Sequence, residues 1–299
     1  MRPWQLMVGD IKITALSDGR MSIPYRRLFP ETEDAVWDGY RARFPEAFDG
    51  KGFLTNIGSF LVQTGDHTVI ADTGLGPWGH LGGRFEPAEL INDLRIKGID
   101  HADIDTVFLT HLHGDHVGWN LTKEDDGYVA TFPSARYLLQ EADWLHFTSD
   151  EYQAKLSSAR RKQAETTYLP LRDMGKLDVI RGDKDFAPGL TALHTPGHTP
   201  GHMSMLIASR NERAVLIGDI AGTPAHLTET NWLYAPDTDK ELGMKSRLRV
   251  IDMAEKEKMV VLGAHMTRPG WGRLIRWEGK RYWQALEAAP DKDRASNRP

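Results

Sequence analysis

The chain has 299 residues, 40% hydrophobic and 26% charged, with a formal net charge of −5, the balance of an ordinary globular protein. It leaves no basic stripe for a nucleic-acid backbone, and the densest basic spots, Arg160-Arg161-Lys162 and the Arg247/Arg249 pair, read as solvated helix faces. There is no cysteine, which excludes disulfides, thiolate nucleophiles and iron–sulfur centres, and restricts any metal site to histidine and carboxylate donors.

Taken in chain order, the N-terminal stretch "MRPWQLMVGDIKITALSDG" has no unbroken apolar core and no small-residue cleavage site, so no signal peptide is expected. No segment approaches the roughly 20 apolar residues of a membrane span, and the expected location is the cytoplasm. "IKITALSD", "SFLVQTG" and "HTVIADTG" read as strands at hairpin spacing. Between them, residues 20–50, with "YRRLFPETEDAVWDGY", read as either a partner surface, in a homodimer, or a lid over the site. Helical periodicity follows over 86–97, with Pro87 tolerated in the first turn, then strands at "DTVFLTH" and "ARYLLQ", and helices over 140–148 and 150–164. Pro170 and Gly175 end that helical run. "LTALHT", "SMLIASR" and "AVLIGD" are strands, 240–257 is a helix, and "MVVLGAH" and "RLIRWEG" close the series. The last stretch, "EAAPDKDRASNRP", is charged and lacks apolar anchors, which predicts one domain over 1–286 and a flexible tail over 287–299. Strands interspersed with two clusters of helices predict a layered α/β sandwich in preference to a doubly wound sheet.

The densest chemistry lies in "TVFLTHLHGDHVGWN", Thr106 to Asn120. "VFLT" is apolar enough for a buried strand, which must stop where "HLHGDH" begins. At period two, His111 and His113 project to the same side, which suits two ligands for one ion. Gly114 allows a sharp turn, so that Asp115 and His116 leave on a new course and face a second ion. Each ion needs three to four donors. Further candidates also terminate apolar runs: His194, His198 and His202 in "LTALHTPGHTPGH", Asp219 after "AVLIG", and His265 after "MVVLGA". Strand ends are where a scaffold converges side chains from distant sequence. An all-nitrogen-and-oxygen donor set suits zinc, although manganese, iron or cobalt accept the same donors.

"IADTG", "THLHGDHVG", "TPGHTPGH", "IGD" and "GAH", in this order over residues 66–265, resemble the metallo-β-lactamase superfamily. The resemblance implies a four-layer αβ/βα sandwich, two mixed sheets flanked by helices, with two divalent metal ions, zinc by default, at one edge. Carried over by position, it implies that His111, His113 and His198 hold one ion, that Asp115, His116 and His265 hold the other, and that Asp219 bridges them. Asp72 matches a family aspartate behind the ligands that orients an imidazole by hydrogen bond. The resemblance selects His198 from "TPGHTPGH", leaving His202 as a neighbour and His194 as part of the strand. His67, His80, His101, His146 and His226 have no supporting motif and read as surface residues.

Two ions a few Å apart acidify a shared water, so the expected chemistry is hydrolysis by a hydroxide bridging two metal ions, with one ion polarising the substrate oxygen. Asp115 is the candidate proton shuttle to the leaving group. The ligand set leaves the substrate open. The looser stretches "ALSDG", "FPSARYLLQEADW", "DTDKELGMKSR" and "GAHMTRPGWGRLIRWEGKRYW" resemble the branch of methyl parathion hydrolase and related lactonases, which implies a hydrophobic lactone or ester substrate. Phosphotriester and β-lactam hydrolysis are the alternatives, and a non-catalytic metal-binding relative is the different-class alternative. Small bacillus-type lactonases carry a tyrosine three residues after the bridging aspartate, where this chain has Gly222. Of the 9 tryptophans, Trp78, Trp144 and Trp271 are expected to line the substrate cleft, while Trp119 is expected to pack inside the domain.

Overall fold

The computed structural model describes residues 2, 4–50, 52–77, 89–125 and 127–286; Trp78, His80 and the tail 287–299 lie outside them. The strands are β1 Gln5–Val8, β2 Ile11–Ile23, β3 Phe53–Thr64, β4 His67–Ala71, β5 Thr106–Phe108, β6 Leu121–Glu124, β7 Gly127–Ala130, β8 Arg136–Gln140 and β9 Leu177–Ile180, followed by β10 Lys184–Ala187, β11 Leu190–His194, β12 Met203–Ser209, β13 Glu212–Leu216, β14 Val260–Leu262, β15 Trp271–Trp277 and β16 Lys280–Ala285. One sheet has the order β1-β2-β3-β4-β5-β8-β9, the other runs β10 to β16 in sequence, and β6-β7 is a small separate hairpin. Both large sheets are mixed: β4, β5, β8 and β9 pair in parallel, as do β13 and β14, among otherwise antiparallel neighbours. The chain passes from the first sheet to the second between β9 and β10.

The two sheets close on a shared apolar interior in which Ile13, Phe60, Val69 and Phe108 meet Met203, Met205, Leu216 and Trp271. Helices Leu90–Ile96, Glu141–Thr148 and Ser158–Thr167 cover the outer face of the first sheet through Leu94, Phe147 and Ala164. Helix Lys240–Lys256 covers the second through Val250 and Ile251, together with Phe29, Trp37 and Phe53 from the N-terminal part. This is the expected four-layer αβ/βα sandwich, and every sequence segment read as a strand contributes one. The helix read over 150–164 is two, Asp150–Lys155 and Ser158–Thr167. Ser149 and Ser157 each accept a hydrogen bond from the backbone N–H three residues on, two N-caps that start the helices separately. No helix of the described residues is long and apolar enough to cross a membrane.

Candidate metal centre

The site forms where strands stop. Directly after β4, Asp72 takes a left-handed backbone conformation (φ 60°), and its N–H donates to the Phe108 carbonyl at the end of β5. Its carboxylate thereby faces the loop after β5. Oδ1 accepts from the Thr110 N–H and Oδ2 from the Thr110 hydroxyl, both at 2.8 Å, and Oδ2 lies 2.8 Å from His116 Nδ1. One buried carboxylate thus bonds both ends of the "THLHGDH" loop.

The donor atoms fall into two groups. His111 Nε2 and His198 Nε2 lie 3.0 and 2.9 Å from His113 Nδ1. On the other side His116 Nε2 and His265 Nε2 lie 3.8 and 3.5 Å from Asp115 Oδ2. Asp219 stands between them. Its Oδ2 is 3.9 Å from His111 Nε2 and 3.4 Å from His198 Nε2, and its Oδ1 is 3.4 Å from His116 Nε2 and 3.3 Å from His265 Nε2.

Outer hydrogen bonds set which nitrogen of each ring faces inward. His265 Nδ1–H donates to the Asn56 carbonyl (2.9 Å), His198 Nδ1 faces Asp237 Oδ1 (3.1 Å), His116 Nδ1 faces Asp72, and His111 Nδ1 faces the Thr110 hydroxyl (3.0 Å). Since Thr110 gives its proton to Asp72, it accepts from His111. Four rings therefore turn Nε2 toward the centre. His116 Nε2 and Asp219 Oδ1 are buried with no hydrogen-bond partner, an arrangement that costs about 1–3 kcal/mol per group if left unfilled. Converging imidazole nitrogens and carboxylate oxygens, with buried atoms lacking a partner, fit two divalent cations, whose binding would displace the ring protons. His111, His113 and His198 form one candidate group, Asp115, His116 and His265 another, and Asp219 reaches both sides.

Charges within the cluster respond to one another. Burial resists protonation of His111 and His113, and neighbouring imidazoles add to it, taking His113 down to about 3 and His111 well below its ordinary value. Burial acts the same way on His265, but Asp219 and Asp115 outweigh it and raise that ring to about 9. For Asp219 burial favours the neutral acid, and His265 and His116 overcome it, so the carboxyl stays well below the usual range. Both aspartates are therefore ionised and available as ligands.

His202 is kept out of the donor set by its bonding. Its Nε2 accepts the Asp219 N–H at 2.9 Å and its Nδ1 bonds the Thr195 hydroxyl, so no lone pair is left for an ion. It orients Asp219 through the backbone. His194, half-buried, is bonded through Nε2 to the Pro200 carbonyl.

A cavity of about 720 Å³ opens over the donors, lined among others by Met21, Ile23, Arg27, Leu28, Arg160, Gln163, Tyr234 and Pro236. Of the expected tryptophans, Trp144 and Trp271 are not among its lining residues, and Trp78 lies outside the described residues. Trp144 is buried in the core beneath the first sheet, and Trp271 is buried between the sheets, because each belongs to a regular element whose inward face is core. Trp119 is half-buried against the outer core of the first sheet, its Nε1–H donating to Asp18. Two surface readings also fail. His226 is buried against Phe29 and Tyr234, and Arg247 is a buried cation held by Asp237 at 3.0 Å and by the Ile220 carbonyl.

The residues sequence reasoning missed are Asp237, Asn56 and Tyr234. Asp237 joins Arg247 to His198, and Asn56 acts through its main chain, so neither leaves a side-chain motif. Tyr234 stacks on His198, with ring centroids 5.8 Å apart, and its hydroxyl fills the space that a side chain at Gly222 would need. Burial, then Asp219, Asp237 and Asp115, raise its pKa well above 10, so the phenol keeps its proton. Gly222 in the sequence was the available signal: a missing side chain three residues after Asp219 leaves room for another.

The sequence profile of the metallo-beta-lactamase superfamily matches residues 54–265. An N-acyl homoserine lactonase from a Bacillus species is 28% identical over 223 residues, 69% of this chain and 79% of that protein. The lactonase AttM of Rhizobium radiobacter is 28% identical over 203 residues, covering 60% and 71%. Among solved structures, the hydrolase AbOPH superposes with a TM-score of 0.82 at 25% identity over 95% of this chain and 97% of that one. The dizinc quorum-quenching lactonase AidC superposes at 0.77 over 95% and 97%, and at 21% identity that likeness concerns the fold.

Proposed function

Since the chain belongs to the metallo-beta-lactamase superfamily, we propose that it is a hydrolase that holds two divalent cations, zinc by preference, and opens lactones, with N-acyl homoserine lactones as the first substrates to test. The observation that carries this reading is the Asp219 carboxylate, which presents one oxygen to each of two donor groups at 3.3–3.9 Å. His111, His113 and His198 would hold one cation, and Asp115, His116 and His265 the other. Bound there, such cations supply Lewis acidity, lowering the pKa of a coordinated water and polarising an ester carbonyl.

The chain's own groups do the rest. Asp72, Asp237, Thr110 and Asn56 hold the imidazoles in the required tautomer and orientation. Asp115 is ionised because His116 and His265 outweigh its burial, and it faces the cavity; it carries the proton from the attacking water to the leaving alkoxide. Tyr234, protonated and lining the same cavity, donates a hydrogen bond to the substrate oxygen as negative charge develops there. Met21, Ile23 and Leu28 shield the acyl part from water.

Metal analysis together with a hydrolysis panel of γ- and δ-lactones, an aryl ester, a phosphotriester and a β-lactam tests this. The expected result is two ions per chain, preference for lactones, and loss of activity on chelation. Full activity without metal would overturn the mechanism, and turnover confined to the β-lactam or the phosphotriester would overturn the substrate.

A further inference from the structure

The cavity over the donors has an apolar wall and a cationic rim. Arg27, in the helical turn Tyr25–Leu28, and Arg160, in helix Ser158–Thr167, both line it. Neither has a carboxylate partner among the described residues. Arg26, beside Arg27 in the chain, does: it pairs with Asp34 at 3.2 Å. The acidic residues lining the cavity are Asp115 and Asp219, both among the donors facing the metal positions.

A second, independent observation lies on the same helix. Gln163 follows Arg160 by three residues, the spacing that puts two side chains on one face. It is 5% exposed, lines the cavity, and its Nε2 is buried without a hydrogen-bond partner. A buried amide donor without an acceptor costs about 1–3 kcal/mol, and glycine at 114 leaves the room this one occupies: a Cβ there would collide with Gln163 Nε2. Two unpaired guanidiniums and an unpaired amide, all donors, face one space across Met21, Ile23 and Leu28. Guanidinium recognises carboxylate by paired N–H donors.

Resting on the lactonase reading, we propose that the preferred substrate is a lactone whose apolar acyl chain ends in a carboxylate, which Arg27 and Arg160 bind while Gln163 donates to the acyl or amide oxygen along its length. The two arginines act as specificity residues at the far end of the substrate from the reacting bond.

The test uses N-hexanoyl-homoserine lactone and its N-adipoyl counterpart, which has the same chain length and ends in a carboxylate. With zinc-loaded enzyme, kcat/KM should favour the adipoyl substrate at least 10-fold, chiefly through KM. The preference should shrink between 50 and 500 mM salt and fall to about one in the R27M/R160M double variant. Equal or reversed preference in the unaltered enzyme would overturn the proposal, as would a preference that survives the double substitution. Calorimetric binding of the two ring-opened products to the zinc-loaded protein keeps this separate from the lactonase reading. A Kd ratio of 10 or more that collapses in R27M/R160M supports carboxylate recognition even if neither lactone is hydrolysed, in which case the lactonase reading alone falls. Equal Kd values overturn carboxylate recognition whatever the turnover.

Discussion

The residue that most sharpens the mechanism is Tyr234. A phenol kept protonated, stacked on the imidazole of His198 and lining the cavity is placed to stabilise an oxyanion, and loss of one such donor typically costs about 100-fold or more in rate. Tyr234→Phe should therefore lower kcat for a lactone by about 100-fold or more, with KM little changed and two metal ions retained by elemental analysis. Loss of metal in that variant would show that Tyr234 only braces His198. At this scale the sequence was legible where side chains donate directly. His111, His113, Asp115, His116, His198, Asp219 and His265 stand in compact motifs, and the structure brings all seven together. It was not legible where support comes from the main chain, as at Asn56, or from a loop without periodicity, as at Asp237 and Tyr234. The tryptophan expectation failed for a related reason: Trp144 and Trp271 sit close in sequence to the motifs, yet helix and strand geometry turn them into the core.

Among the elements, the loop from Thr195 to His202 depends on a helix of the opposite half. Asp143, in helix Glu141–Thr148, accepts from the Thr199 hydroxyl at 2.9 Å and the Gly201 N–H at 2.6 Å. Burial raises its pKa from 3.8 to about 6 against these bonds. A carboxyl whose folded pKa lies above its unfolded value holds a proton that the unfolded chain releases. Its contribution to stability is thus complete below about pH 4 and is lost as pH rises through about 6. With the metal removed by chelation, the difference in unfolding free energy between the unaltered protein and Asp143→Asn should shift in favour of the unaltered protein as pH falls from 7.5 to 5, by no more than about 3 kcal/mol. A gap independent of pH would mean that Asp143 titrates near its ordinary value. Strand positions were legible from apolar runs, whereas the break at Leu156 and Ser157 was not, because a serine cap interrupts a helix without altering its periodicity.

Over the whole molecule, the metal centre joins what the core alone would otherwise hold. The loops after β4 and β5 belong to the first sheet and supply Asp72, His111, His113, Asp115 and His116, and the loops of the second supply His198, Asp219 and His265. Ions shared across that boundary stabilise the folded state by mass action, about 4 kcal/mol at a thousandfold excess over Kd. Scanning calorimetry should find Tm lower by about 10 °C after chelation, and an unchanged Tm would mean that the donors do not hold metal across the two sheets. The layered architecture was legible from the order of strands and helices. The wall built by residues 21–28 was legible only as an undecided segment, since its aromatic packing among Tyr25, Phe29, Trp37 and Phe53 depends on contacts distant in sequence.

The single passage between β9 and β10 divides the donors along with the sheets. On the proposed assignment neither half owns a complete set for either position: the first contributes two imidazoles to one and an aspartate and an imidazole to the other, and the second completes both and offers Asp219 to each. The centre is in effect a coincidence detector for assembly. A chain in which either half is misfolded has no partial activity to display, because the chemistry comes into existence only when the two layers meet in register.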